Sequence, residues 1–451
     1  MNKQTVALHT LGCKLNYAES STIAERFRRE GFRVVELSEG GDVVVINSCT
    51  VTENADRECR QVVRRALRAN PDAYVIVTGC YAQLKPEEIA SMDGVDMVLG
   101  SAEKFQIFEH CGDFQKEETP RIAVGEIAEA TGFGPAFTGE GDSRTRAFLK
   151  VQDGCDYNCA FCTIPLARGG SRSQPIQEAF RQACQLVESG YQEIVITGVN
   201  VGDFGKGRAE SFLDLLRRLH EVPRLQRLKI SSIEPNLLTD PIIEFASASD
   251  RMLPHFHIPL QSGSDQILGK MRRRYRSSVY RDRVETILRL MPHAAIGVDV
   301  IVGFPGETEE HFQETYSFLN ELPIAYLHVF TYSERQNTPA AEFGGAVPVG
   351  ERRDRTRRLR ILSEKKRGQF AAAHEGEVRP VLFESRQMEG MIEGYTDNYI
   401  RVGVPFHPAL AGKIVEVRVG EFNGNYAAGA VVNAQLSAML PVLPVVNYCG
   451  T

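Results

Sequence analysis

Three cysteines fall within eight residues, Cys155-Asp156-Tyr157-Asn158-Cys159-Ala160-Phe161-Cys162, directly behind a β-prone run. A loop that short can wrap three thiolates around one face of a metal centre, and Gly154 lets the chain turn into it. Soft thiolates select zinc or an iron–sulfur cluster. Zinc asks for a fourth ligand, and the neighbouring residues offer no further His or Cys. A cluster with one iron left open fits the spacing better, with a zinc site or a chance match as the alternative. The fold must therefore deliver this loop at the end of a strand, with room in front of it.

Strand and helix alternate on both sides of the motif. In the first hundred residues, 5–10, 42–46, 74–78 and 96–99 read as strands, and 17–30 and 54–69 as helices. That alternation predicts a parallel sheet with helices on its faces, a Rossmann-like α/β domain over residues 1–111. Residues 112–143 are acidic, rich in Gly and Thr and weakly periodic, and read as a linker with little structure. The alternation returns over 144–373, with strands near 147–152, 193–197, 227–231, 255–258, 294–302 and 325–332. Six β/α units suit a partial barrel, since a full eight-unit barrel typically needs ~250 residues. From 374 to 436 the pattern changes to short strands with turns, a small antiparallel β-barrel in outline. The tail, 437–451, is apolar with two prolines.

Three further cysteines share one position in this pattern. Cys13, Cys49 and Cys80 each follow a predicted strand, in Leu11-Gly12-Cys13, Asn47-Ser48-Cys49 and Thr78-Gly79-Cys80. The C-terminal ends of parallel strands share one edge, where ligands bind. Three thiols far apart in sequence can thus converge on a second metal cluster. The plainer alternative is three buried packing cysteines. Cys59 and Cys184 fall within predicted helices and read as packing residues; Cys111 borders the linker, and Cys449 lies near the end.

Composition narrows the class. The 451 residues carry a net charge of −6, which argues against a generic nucleic-acid binder. The basic runs 272–276 and 351–360 read as solvated helix faces. No apolar run is long enough to span a membrane, and no secretion signal opens the chain, so a cytoplasmic protein is expected. Ten cysteines in such a compartment point to metal or catalysis before disulfides. His255 and His257 stand in a strand pattern and read as satisfied core histidines, although one of them can face a cofactor pocket.

The Cys155–Cys162 spacing resembles that of the radical S-adenosylmethionine (SAM) superfamily. The resemblance implies a 4Fe–4S cluster whose open iron binds SAM, and cleavage of SAM to a 5′-deoxyadenosyl radical. Over nearly the whole chain the resemblance is to the methylthiotransferases. It rests on the three Cys13, Cys49 and Cys80 motifs, on residues 152–165, on His257-Ile258-Pro259-Leu260-Gln261-Ser262-Gly263-Ser264 and on residues 299–308. The C-terminal segment is similar to a TRAM domain, an RNA-binding module. Gly12-Cys13-Lys14-Leu15-Asn16 resembles the branch acting on N6-threonylcarbamoyladenosine in tRNA. The isopentenyladenosine and ribosomal-protein branches usually show other residues there.

Carried over by position, the resemblance implies two 4Fe–4S clusters, an auxiliary one on Cys13, Cys49 and Cys80 and the SAM cluster on Cys155, Cys159 and Cys162. Thr197, Gly198, Glu234, Gln261 and Ser262 would line the SAM pocket. Gly303 and Gly306 would let backbone pass close to the adenine. The implied reaction methylthiolates C2 of the modified adenosine at position 37, with two SAM per turnover. Its implied partners are the tRNA anticodon stem-loop and a reductant such as flavodoxin or ferredoxin. Relatives commonly show Arg-Gly-x-x-Arg-Ser-Arg after the cluster motif; here Gln174 replaces the last arginine, which puts one cationic contact in doubt. The TRAM-like segment is not basic, so stacking and neutral hydrogen bonds from Tyr395, Asn398 and Tyr399 are the expected RNA contacts. The competing readings are the same chemistry on isopentenyladenosine in tRNA or on a ribosomal protein side chain, and a non-catalytic RNA-binding protein that merely holds clusters.

Overall fold

The computed structural model describes residues 4–50, 53–130, 132–134, 136–138 and 145–432. The apolar tail and Cys449 lie outside them. No helix among the described residues is long and apolar enough to cross a membrane.

The N-terminal region is a parallel sheet of six strands, ordered β2-β1-β3-β4-β5-β6. Its strands are β1 (Thr5–Thr10), β2 (Arg33–Val35), β3 (Val43–Ser48), β4 (Tyr74–Gly79), β5 (Met97–Leu99) and β6 (Arg121–Ala123). Every residue of β3 and β4 is buried, as central strands covered on both faces require. Helices Lys14–Arg29 and Glu53–Ala69 belong to this region.

The linker has more structure than its composition suggests. Arg121–Ala123 adds the edge strand β6 beside β5. Farther on, Thr138 and Ala136 exchange backbone hydrogen bonds with Phe148 and Lys150. An edge strand needs backbone partners on only one side, so a weakly apolar segment serves.

The central region has six parallel strands: β7 (Ala147–Lys150), β10 (Glu193–Thr197), β11 (Arg227–Ile230), β12 (His255–Gln261), β13 (Ala295–Val302) and β14 (Tyr326–Thr331). They form two sheets, β7-β10-β11 and β12-β13-β14, which meet where Ile233 N–H donates to the His257 carbonyl. A short antiparallel pair, β8 (Gln152–Asp153) and β9 (Arg172–Ser173), ties off the two ends of the Cys155 loop. The β7 and β14 ends do not pair, so this is an open partial barrel. The N-terminal helix Lys14–Arg29 lies against β7. Its Ala18 packs with Phe148 and Val195 on the face opposite the main core.

The C-terminal strands β15 (Val378–Met388), β16 (Met391–Thr396), β17 (Arg401–Pro405), β18 (Ile414–Phe422) and β19 (Ala427–Val431) close into a barrel. Its pairs are antiparallel except β17 with β19. This small barrel caps the N-terminal end of the central one. Arg227 donates to the carbonyls of Tyr395 and Pro380, and Asn398 Nδ2 donates to the His293 carbonyl at 3.0 Å. The Tyr399 hydroxyl donates to Glu193. Tyr395, Asn398 and Tyr399 therefore stand between the small barrel and the floor of the central one, and the Tyr395 and Tyr399 rings line a cavity there. The Tyr399 hydroxyl meets the buried Glu193 there, and composition alone did not show that.

The basic runs are also only partly solvated faces. Arg352 and Arg355 are buried on helix Val349–Ala373, where they pair with Glu334 and Glu307. Arg273 is buried as well and joins the site described next.

Candidate active site

The strands β1, β3 and β4 are neighbours, and Cys13, Cys49 and Cys80 follow their C-terminal ends in order along one edge. Gly12 makes the crowding possible. Its φ is +91°, and a Cβ there would lie 2.6 Å from the Cys49 Cβ and 2.7 Å from its Sγ. Cys13 precedes helix Lys14–Arg29 and sits 3.8 Å, sulfur to oxygen, from Asn16 Oδ1. Burial raises the Cys80 thiol; Arg168 and Lys104 oppose that shift and Cys13 adds to it.

The second trio sits in the loop clasped by β8 and β9. At Gly154 a Cβ would lie 2.0 Å from the Gly170 carbonyl oxygen, so only glycine lets the two ends of the loop meet. Cys155 N–H donates to the Gly169 carbonyl at 3.0 Å, and Tyr157 N–H points at Cys155 Sγ at 3.4 Å. Arg273 Nη1 donates to Cys159 Sγ at 3.0 Å. Burial, with a smaller contribution from Cys159, pushes the Cys155 thiol up to about 11 and the Cys162 thiol to about 12. Thiols this reluctant to ionise alone are held as thiolates when a cation sits among them. Three sulfurs on one loop, a backbone with no side chain in the way and an arginine donating to sulfur suit an iron–sulfur cluster.

One buried arginine ties the two loops together. Arg168 ends the short helix behind the second trio and is 2% exposed. Its Nη1 donates to Glu19 Oε1 and Asp153 Oδ1, both at 2.9 Å, and its Nη2 to Asn16 Oδ1 at 2.6 Å. Glu19 and Asn16 belong to the helix that starts after Cys13, while Asp153 lies two residues before Cys155. Lys104 and Lys150 close the network on Glu19 at 2.5 and 3.0 Å. Burial alone would raise the Glu19 carboxyl, but Arg168, Lys104 and Lys150 hold it well below the carboxylate range. A second tie runs from Arg335 to Asp56 at 2.8 Å, just beyond Cys49. Gln174, where relatives often carry arginine, is buried and donates to the Lys150 carbonyl at 2.9 Å.

The residues expected to line the SAM pocket divide. Thr197 ends β10, and at Gly198 a Cβ would lie 2.9 Å from Gln152 Oε1. Glu234 pairs with Arg273, the same arginine that reaches Cys159. Burial raises the Glu234 carboxyl although Arg273 opposes it. Gln261 ends β12 at a φ of +67°. These four stand at the same end of the barrel as the cysteine loop. Ser262 is turned away, with its hydroxyl on Thr315 Oγ1 at 3.2 Å. Gly303 and Gly306 give room to protein groups: a Cβ would lie 2.4 Å from Arg352 Cγ and 2.7 Å from Lys270 Nζ, respectively.

The interior of the barrel was poorly foreseen. His257 Nε2 and Asp299 Oδ1 are 2.9 Å apart, and His328 joins them in one group. His255 is the satisfied core histidine, paired with the Tyr326 hydroxyl at 2.8 Å. Lys14, next to Cys13, lines the same interior cavity as Lys229, His328 and Tyr399. Arg273 was hidden inside a basic run; its only sequence signal was a tyrosine two residues on, whose hydroxyl it meets at 3.1 Å.

Comparison with known proteins agrees with this geometry. Family models match in three consecutive stretches: the uncharacterized protein family UPF0004 over residues 5–100, the Radical SAM superfamily over 149–319 and the TRAM domain over 372–432. A β/α partial barrel with a three-cysteine loop at its strand ends, covered by the superfamily model, makes this a radical SAM enzyme. Such an enzyme works with SAM and a 4Fe–4S cluster.

The threonylcarbamoyladenosine tRNA methylthiotransferase MtaB of Bacillus subtilis (strain 168) is 42% identical, over 95% of this chain and 96% of that one. Its Aquifex aeolicus counterpart is 36% identical, over 92% and 100%. A tRNA-2-methylthio-N(6)-dimethylallyladenosine synthase of Clostridium botulinum (strain Loch Maree / Type A3) is 31% identical, over 92% and 94%. The chain belongs to the radical SAM tRNA methylthiotransferases. Among solved structures, the radical SAM methyltransferase TsrM of Kitasatospora setae shares the fold, with a TM-score of 0.55 at 14% identity over 75% of each chain.

Proposed function

We propose that this enzyme methylthiolates C2 of N6-threonylcarbamoyladenosine at position 37 of tRNA, using two SAM per turnover. Cys155, Cys159 and Cys162 hold the cluster that binds SAM, and Cys13, Cys49 and Cys80 hold a second 4Fe–4S cluster. The observation that carries the reading is the Arg168 network, which spans from the helix behind Cys13 to the strand before Cys155. Two such loops locked to one another suit a reaction in which both centres act on a single base. When bound, the clusters and SAM supply one-electron chemistry and the methylthio sulfur; the C2–H bond is not acidic, so an ordinary base does not open it.

The protein's own groups position and enclose. Thr197, Gly198, Glu234 and Gln261 shape the SAM end of the barrel, and Arg273 orients both Cys159 and Glu234. The His257–Asp299 pair provides a polar wall with a defined imidazole orientation. The base reaches this interior by splaying out of the anticodon loop. The enzyme works in the cytoplasm, with a flavodoxin- or ferredoxin-type reductant. The threonylcarbamoyl assignment is favoured over dimethylallyl by the Gly12-Cys13-Lys14-Leu15-Asn16 motif and by the relatives at 42% and 36% identity.

Mass spectrometry of tRNA nucleosides tests it. A strain lacking the gene should lose 2-methylthio-N6-threonylcarbamoyladenosine and accumulate its unthiolated precursor. Loss of the dimethylallyl derivative instead, or an altered ribosomal protein with unchanged tRNA, would overturn the assignment.

A further inference from the structure

The floor of the barrel holds a charge with no counterpart. Lys229, on β11, is 4% exposed. Among the described residues its ammonium makes neither a hydrogen bond nor an ion pair; its Nζ rests 3.0 Å from the centroid of the Tyr399 ring. A buried ammonium ordinarily demands a carboxylate or several acceptors. Glu193 is the nearest acidic influence, but it is occupied by the Tyr399 hydroxyl and by Arg227. Lys229 lines a cavity of about 430 Å³ and an adjoining one of about 350 Å³, and Lys14 and Arg146 line both. Arg146 is paired with Glu384, whereas Lys14 also lacks a hydrogen bond or ion pair among the described residues. The buried Lys229 and the exposed Lys14, which follows Cys13 in the chain, thus line one cavity with the Tyr326, Tyr395 and Tyr399 rings.

We propose that Lys229, helped by Lys14, receives the carboxylate of the threonylcarbamoyl group, so that this cavity selects the substrate nucleoside. The assignment rests on the reading of the substrate given above. The threonyl carboxylate is an anion that the target base itself carries into the barrel, and it supplies the missing counter-charge. A dimethylallyl group has no oxygen and would leave the buried Lys229 without an anion, an unfavourable state for a buried charge. Aromatic walls suit the flat ureido and purine portions of the same nucleoside. Burial, then Lys14 and Arg146, hold the Lys229 ammonium well below its usual pKa, and a bound anion would favour its protonated form.

The test uses full-length, air-free reconstituted holoenzyme and synthetic anticodon stem-loops. These carry N6-threonylcarbamoyladenosine, its carboxamide, N6-dimethylallyladenosine or plain adenosine. Wild type should favour the carboxylate over the carboxamide by about 100-fold in kcat/KM, as expected when a buried charge is left unpaired by the wrong ligand. In Lys229→Met that preference should fall to near unity, mostly through lost activity on the carboxylate, and Lys229→Arg should restore part of it. Iron content and SAM cleavage should be unchanged, and the melting temperature of Lys229→Met should equal or exceed wild type because a bare buried charge is gone. Lys229→Gln serves if the methionine variant does not fold.

A preference retained in a folded, iron-loaded variant overturns the proposal. So does an equal loss of binding to the plain-adenosine stem-loop, which would assign the anion to an RNA phosphate. Wild-type enzyme that ignores the threonylcarbamoyl stem-loop and acts on the dimethylallyl one would instead sink the substrate reading, and this pocket with it.

Discussion

The two cysteine trios are placed by opposite routes. Cys155, Cys159 and Cys162 sit on one loop, so local chain stiffness and the β8–β9 clasp set their spacing. Cys13, Cys49 and Cys80 sit on three strand ends, so the register of a whole parallel sheet sets theirs. A local site tolerates shifts of the fold around it. A sheet-edge site depends on every strand and on glycines such as Gly12 that let neighbouring chains touch.

The largest effect should come from emptying one trio at a time. Replacing Cys155, Cys159 and Cys162 by alanine should abolish SAM cleavage to below detection. Replacing Cys13, Cys49 and Cys80 should leave SAM cleavage but end methylthio transfer, with iron and sulfide falling to one cluster. Equal loss of SAM cleavage in both would erase the contrast. Next comes the bridge between the trios. Arg168→Met removes buried hydrogen bonds to Glu19, Asp153 and Asn16 while Lys104 and Lys150 still pair with the carboxylates, and should cost about 1–3 kcal/mol in denaturant unfolding. An unchanged midpoint would show that the two loops do not depend on that arginine.

A smaller effect should follow Gly12→Ala. The new Cβ would meet Cys49 at 2.6 Å in a left-handed backbone, for a cost of about 1–3 kcal/mol. Iron loss confined to the sheet-edge site would support the contrast; intact loading at both sites would weaken it. Subtlest is the response to acid. The Glu19 carboxyl is held well below its ordinary value of 4.5, and Asp153 below 3.8, in both cases because lysine and arginine outweigh burial. A carboxyl with a depressed folded pKa contributes its stability above the unfolded value and loses it as pH falls toward the folded one. Stability should therefore be flat with respect to these groups from neutral pH down to about 5 and decline below that. Glu19→Gln should make the decline shallower, and an equally steep decline would assign acid sensitivity elsewhere.

Much of the fold could be read from residue order. Continuous apolar runs such as Val43-Val44-Val45-Ile46 and Tyr74-Val75-Ile76-Val77 leave little choice but central parallel strands. Helix Lys14–Arg29 and strand Glu193–Thr197 fall within a few residues of their expected bounds. The placement of both trios at strand ends was legible, one from spacing and one from repeated position after strands. Arg273 and Lys229 were not, and Arg168 was visible only as the start of a motif, without its buried partners. A charged residue in sequence reads as solvated unless something marks its burial, and their partners lie far along the chain: Glu19 is 149 residues from Arg168, and Glu234 is 39 from Arg273. Tyr399 was noticed as a stacking group, but its hydroxyl bond to Glu193, 206 residues away, was not.

By itself the order of residues determined the periodicity of each segment, the cysteines available to metal and the three-part organisation of the chain, because these follow from local backbone and side-chain preferences. Only the tertiary structure decided which charges are buried, which arginine joins the two loops and which lysine is left without a counter-ion. Those are outcomes of packing between segments, where the withdrawal of water, felt only in the assembled fold, turns an ordinary lysine into a demand for an anion.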